Sequence, residues 1–318
     1  MKGMPAAVRN SVQGEARQER DTVERHKEER RKEERHKVGA GIVMMCVGVA
    51  CLSVNDAIAK HLIEVYSPLQ ILFLRNVIAL PFALVITARV GGVQALRSSR
   101  PFPHLMRGFL WVVATILFFT SFAYLDLAEA TALIFVAPLF ITALSAAFLK
   151  EQVGWRRWFA VIAGFVGVLV VIRPGSTAFQ LVSLLPVVVA FLYALLMLGA
   201  RWVDPRESAW TMLLYMTGAS ALLSAFVVPF VWTAIRVEDF WFFAGVALFG
   251  TAGMTLMTQA FRFAPASIVA PFDYTGLLWA TVLGWWFWHE VPDAWAVLGA
   301  AIIVASGIFI LWRERGRS

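Results

Sequence analysis

The chain has 318 residues, of which 59% are hydrophobic and only 15% are charged. A water-soluble domain carries roughly a quarter charged residues, so this composition excludes a soluble globular body of this size. The net charge of +7 is not a nucleic-acid signature either: residues 1–37 alone hold eleven Lys+Arg against eight Asp+Glu, and most other basic residues lie between apolar runs.

In chain order, residues 1–37 come first as a polar tail without an aromatic residue, and Glu24 to Lys37 reads ERHKEERRKEERHK. Acidic and basic residues three and four apart support a solvated, partly disordered segment that is cytoplasmic. No cleavable signal is expected, because the first apolar run starts only near Val38. Cys46 and Cys51 fall in that run, five apart on one helix, and are poorly placed to pair.

Ten apolar runs follow, at 39–60, 68–89, 104–124, 128–149, 156–173, 179–200, 209–232, 240–261, 267–288 and 295–312. Each approaches the ~20 residues that cross hydrocarbon as a helix, and none alternates as a barrel strand would. With a cytoplasmic N-terminus, the cytoplasmic side collects Arg89, Arg97, Arg100, Arg107, Lys150, Arg156, Arg157, Arg201, Arg206, Arg262, Arg313, Arg315 and Arg317. The opposite side keeps Arg173 and Arg236, with Lys60 near it. Positive residues gather on the cytoplasmic side, so both termini are expected there.

A shift of 139 residues superimposes two parts of the chain. Ala128 falls on Ser267 and Glu151 on Glu290; one inserted residue then aligns Trp155 with Trp295 and Gly167 with Gly307. Five helices repeated, an odd number, invert the second copy in the membrane, as in many secondary transporters. The expected fold is an all-α membrane protein of ten transmembrane helices in two inverted five-helix repeats, residues 38–175 and 176–314.

The segment from Leu127 to Gly175, LAEATALIFVAPLFITALSAAFLKEQVGWRRWFAVIAGFVGVLVVIRPG, and its partner from Ala264 to Gly307 carry a resemblance. They resemble the EamA-type domain of the drug/metabolite transporter superfamily over roughly residues 38–314. Within it, VNDAIAKHL in the first run and SRPFPHLMRG before the third are most similar to metabolite-uptake members such as S-adenosylmethionine or riboflavin carriers. The resemblance implies a secondary carrier in the cytoplasmic (inner) membrane, a small-molecule substrate, and alternating access between the repeats, by proton coupling or exchange. A lipid scramblase, a membrane enzyme and a non-transporting sensor are the competing readings.

Ionisable groups inside a membrane are costly and commonly functional. Asp56 and Lys60 stand four apart in the first run, acid before base, in the order that favours a pair on one helix face, with Asn55 beside them. Lys60 snorkelling outward with Asp56 as its partner is the alternative. Arg75 offers a planar fork for a carboxylate or phosphate, or a partner for Asp56 or Asp273. Asp273 and Tyr274 sit in the ninth run; the repeat-related position of Asp273 is Ile134, so the acid belongs to one copy only. Gln259 lies on a stripe with Thr255 and Arg262, and Arg107 reads as an interfacial anchor one turn from Trp111. Phe118, Tyr124, Phe135, Tyr193 and Phe272 could stack on a flat ring or pack against neighbours. Glu151 and Glu290, at helix ends, suggest capping. Prolines 81, 138, 186, 229 and 271 can kink helices. No metal-ligand set, phosphate loop or catalytic triad is apparent, so neither cofactor nor enzymatic activity is expected. The lipid bilayer is an expected partner and nucleic acid is not; the oligomer is a monomer or homodimer.

Overall fold

In the computed structural model, residues 36–98, 101–148, 154–174, 180–199 and 208–315 are described. The tail through residue 35 and Glu151 lie outside them. Every regular element among the described residues is helical. In chain order they are α1 (His36–Leu62), α2 (Pro68–Val90), α3 (Pro101–Ser121), α4 (Leu127–Ile134), α5 (Ala137–Phe148), α6 (Trp155–Ile172) and α7 (Leu184–Gly199). Then come α8 (Ala209–Val227), α9 (Phe240–Phe263), α10 (Ala266–Val269), α11 (Thr275–Trp288) and α12 (Ala294–Arg315), with short 3-10 turns between.

Among the described residues, eight helical stretches are long and apolar enough to cross a membrane, and Ala294–Ile310 adds a shorter apolar helix. Large side chains such as Phe82, Phe109, Phe159, Trp286 and Trp312 face outward, while Ala, Gly, Ser and Thr are common between helices. Lipid tails tolerate the first group, and small residues let backbones approach one another. At Gly48 and Gly253, α1 and α9 cross so closely that a Cβ on either would lie within 3.0 Å of the other's carbonyl oxygen. Gly167 and Gly299 do the same for α6 and α12.

The fourth run and the ninth differ from the continuous helices that their hydropathy suggests. The fourth breaks between α4 and α5 at Phe135–Val136. Pro138 has no N–H to give the Ile134 carbonyl, and its ring crowds that carbonyl, so α4 stops at Ile134. The ninth passes through a 3-10 turn at Ala270–Tyr274 that contains Pro271. Under the 139-residue shift Phe135 meets Tyr274, so the two interruptions stand at matching positions. The two rings touch each other, with centroids 4.9 Å apart, edge to face.

Helix ends follow ordinary capping chemistry. Ser67 accepts from the Gln70 N–H at 3.2 Å, Ser208 from Thr211 at 3.1 Å, and Asp293 from Ala296 at 2.7 Å. The α4 N-terminus is different: Asp126 stands at the cap without bonding it, and Glu290 accepts the Leu127 N–H at 3.0 Å from across the molecule. Matching helices of the two halves pack on each other, α2 on α8 and α6 on α12, while α4 of the fourth run packs on α11, the later part of the ninth.

Candidate functional site

The two helix breaks, with α1, α2, α3, α7 and α9, line a partly open cavity of about 320 Å³. An interrupted helix gives up backbone bonds, and such backbone is tolerated at membrane depth only where protein or a cavity satisfies it. Aromatic and aliphatic side chains dominate the walls, including Trp111, Phe118, Phe119, Phe135, Tyr193, Met254 and Met257. The charged groups are Asp56 from α1, Arg75 from α2 and Asp273 from the 3-10 turn. Ser53, Asn55, Thr115 and Thr131 add polar atoms, and Tyr274 adds an aromatic face.

Asp56 accepts a hydrogen bond from Asn55 Nδ2 at 2.8 Å. Asn55 is 1% exposed and its Oδ1 has no partner. Arg75 is held close to the α9 backbone because position 250 is glycine: a Cβ there would lie 2.9 Å from Nε and Nη2 of Arg75 and 2.7 Å from Asn55 Oδ1. Asp56 and Arg75 attract each other electrostatically. Among the described residues, no hydrogen bond or ion pair within 4.0 Å occupies the Arg75 guanidinium or the Asp273 carboxylate. The Tyr274 hydroxyl is buried, also without a partner, against Gly307 of α12, where a Cβ would displace it. Ile134 and Asp273, related by the 139-residue shift, both line the cavity, so matching geometry carries unmatched chemistry.

The structure does not gather every candidate here. Asn55, Asp56, Arg75, Asp273, Tyr274, Phe118, Phe135 and Tyr193 line the cavity. Gln259 does not, one turn beyond Thr255 towards the end of α9. Phe272 packs instead with Met45, Val49 and Val269, and Tyr124 is 60% exposed. Lys60 is turned away from Asp56: its ammonium pairs with Glu290 and donates to the Leu125 carbonyl at 3.0 Å. A lysine side chain reaches far past its own helix turn, so four-residue spacing did not fix its partner. Arg107 is buried and donates to the Leu196 carbonyl at 2.6 Å, a tie between α3 and α7 rather than an exposed anchor. Trp111 lines the cavity one turn further on; its place on the same face as Arg107 was the available signal. Thr115 and Thr131 gave none, since threonines often bond their own helix, as Thr131 does with the Leu127 carbonyl at 2.7 Å.

Two groups outside the membrane-spanning segments are electrostatically distinctive. The Asp293 carboxyl is held below the usual range by the Ala296 N–H and by Arg173, whose Nη2 lies 2.5 Å away. Burial, followed by repulsion from Glu290, pushes the Asp126 carboxyl upward.

Apolar helices around a partly open central cavity that holds charged side chains define a multi-pass membrane protein. Known proteins similar to it are transporters. The EamA-like transporter family matches residues 39–173 and again 180–312, and the chain belongs to that family. An S-adenosylmethionine uptake transporter of Rickettsia prowazekii is 28% identical over 285 residues, covering 86% of this chain and 93% of its own. A riboflavin transporter of Vibrio cholerae is 31% identical over 282 residues, with 86% and 93% covered. A pseudopaline exporter of Pseudomonas aeruginosa is 24% identical over 282 residues, with 87% and 98% covered. A solved protein structure superimposes with a TM-score of 0.60 at 19% identity, covering 87% of this chain and 99% of that one, a likeness of fold.

Proposed function

We propose that this protein is a secondary carrier that takes a small heterocyclic metabolite across the cytoplasmic membrane, with the central cavity as its binding site. The carrying observation is a membrane-buried cavity in which Arg75 and Asp273, opposite in charge, have no close protein partner among the described residues. Leaving such charges unsatisfied is costly, and a ligand with complementary groups removes the cost. Arg75 would hold a carboxylate or phosphate through its fork. Asp56 and Asp273 would face a cationic or hydrogen-donating group. Trp111, Phe118 and Tyr193 would flank a flat ring. Two relatives, one named an S-adenosylmethionine uptake transporter and one a riboflavin transporter, favour this substrate class over drugs or simple amino acids.

The proposed architecture is ten transmembrane helices in two inverted five-helix repeats, counting α4 with α5 and α10 with α11 as one crossing each. The double family match, the packing of matching helices and the paired helix breaks support it. Loop charge supports cytoplasmic termini. Transport then exposes the cavity alternately to each side as the repeats rock.

Purified protein tests the binding site directly. Riboflavin and S-adenosylmethionine are screened by thermal shift, with Arg75→Ala and Asp273→Asn in parallel. A saturable rise in Tm that either substitution removes is expected. A rise that survives both substitutions would place binding elsewhere, and no rise with either compound would remove this substrate class.

A further inference from the structure

The cavity ends one helical turn short of a second polar cluster. On α1 the last cavity residue is Asp56, and Lys60 follows one turn later. Between them on α1 stand Ala57 and Ala59, part of a buried apolar plug that also includes Phe122, Leu125, Leu127 and Ala280. Beyond the plug, the Lys60 ammonium is enclosed by the Glu290 carboxylate, the Leu125 carbonyl at 3.0 Å and the Trp288 ring at 5.3 Å. The other Glu290 oxygen accepts the Leu127 N–H and so caps α4, the half-helix that carries Thr131, Ile134 and Phe135 to the cavity. Lys60, Leu125 and Leu127 belong to the first family match, and Trp288 and Glu290 to the second.

We propose that Lys60 and Glu290 are a latch between the two halves, closing the cavity at the end where α1 finishes, and that transport requires this latch to open. The inference rests on the carrier reading above. Glu290 is held in place by a sharp turn: His289 adopts φ 56°, and the Glu290 N–H returns to the Gly284 carbonyl at 3.1 Å. Contacts of α2 with α8 and with the segment that follows α8 are of a different kind. At one end Gln70 exchanges two hydrogen bonds with the Thr233 backbone, at 2.7 and 2.8 Å. At the other end Thr87 donates to the Trp210 carbonyl at 3.2 Å. That seam is tied at both ends, whereas the latch ties one end only. Glu64 and Asp126 line the recess of about 380 Å³ that also holds Lys60 and Glu290. They offer the lysine replacement partners when Glu290 leaves, which lowers the cost of opening.

The test places Ser53→Cys, a cavity residue, in a chain whose Cys46 and Cys51 are changed to Ala. Labelling by a membrane-impermeant maleimide is timed from the side opposite the N-terminus, in sealed vesicles, with and without Glu290→Gln or Lys60→Met. Glu290→Gln keeps an acceptor for the Leu127 N–H, so it removes the charge pair and leaves the cap. Labelling is expected to quicken about tenfold in each variant as the open population rises. A change of less than threefold in Glu290→Gln overturns the latch, and that variant decides alone if Lys60→Met does not fold. Faster labelling in a protein that transports nothing would sink the carrier reading and leave the latch standing.

Discussion

Gly250→Ala would press on the cavity's polar side chains without removing any of them. The added Cβ would lie 2.7 Å from Asn55 Oδ1 and 2.9 Å from two Arg75 nitrogens, where ordinary contact begins at 3.4 Å. The side chains must therefore retreat by about half an ångström or slightly more. Over-packing of this kind costs ~1–3 kcal/mol, and the better helix propensity of alanine offsets up to ~1 kcal/mol. The net loss of stability is at most ~3 kcal/mol, less than the ~5–15 kcal/mol of a typical fold, so the protein folds. Arg75 and Asp56, however, no longer meet a ligand in the same geometry, and an apparent affinity ~10-fold weaker is expected, since bidentate contacts tolerate little displacement. Gly253→Ala is the contrasting control. Its Cβ would meet the Gly48 carbonyl oxygen at 2.8 Å, a backbone atom that cannot swing aside, so α1 and α9 must separate and Tm falls. The assay is concentration-dependent uptake into proteoliposomes, with thermal melting of both variants. If Gly250→Ala keeps the wild-type KM and Vmax, Arg75 and Asn55 are not placed at a binding site.

Other substitutions separate charge from shape. Asp56→Asn and Asp273→Asn are each expected to abolish gradient-driven accumulation if that carboxylate carries a proton, while exchange persists; concentrative uptake unchanged in both would eliminate proton coupling. Arg75→Lys retains the charge but loses the planar fork, and binding ~10-fold weaker is expected by thermal shift; equal binding would mean that a point charge suffices. Asp126→Asn is expected to stabilise at pH 7 and not at pH 4. The folded-state pKa of Asp126 is raised, so stability is lost as pH rises from the ordinary ~3.9 through the raised value, and asparagine escapes that loss. Melting temperatures that differ equally at both pH values would refute this.

Apolar runs, their order and the family resemblance were legible because helices in lipid must be long and nearly uncharged, which leaves a coarse signal in every window. The breaks at Phe135–Val136 and Ala270–Tyr274 were less so, since hydropathy continues across both and only Pro138 and Pro271 betray them. Asp56, Arg75 and Asp273 stood out by the cost of burying charge, and the structure sets them around one cavity. The partner of Lys60 was illegible. Local spacing pointed to Asp56, but Glu290 lies 230 residues away in sequence and reaches Lys60 only through a turn at His289. Gln259 and Phe272 show the same limit: a polar stripe or a nearby ring fixes a helix face, not what that face packs against.

Uptake into proteoliposomes tests the central claim most directly. Labelled riboflavin and S-adenosylmethionine are offered to wild-type protein and to Arg75→Ala, both checked for folding by melting. The cavity account predicts saturable uptake of at least one compound by the wild type and near-complete loss in the variant. Uptake that is equally rapid without Arg75, or absent from the folded wild type for both compounds, would contradict it.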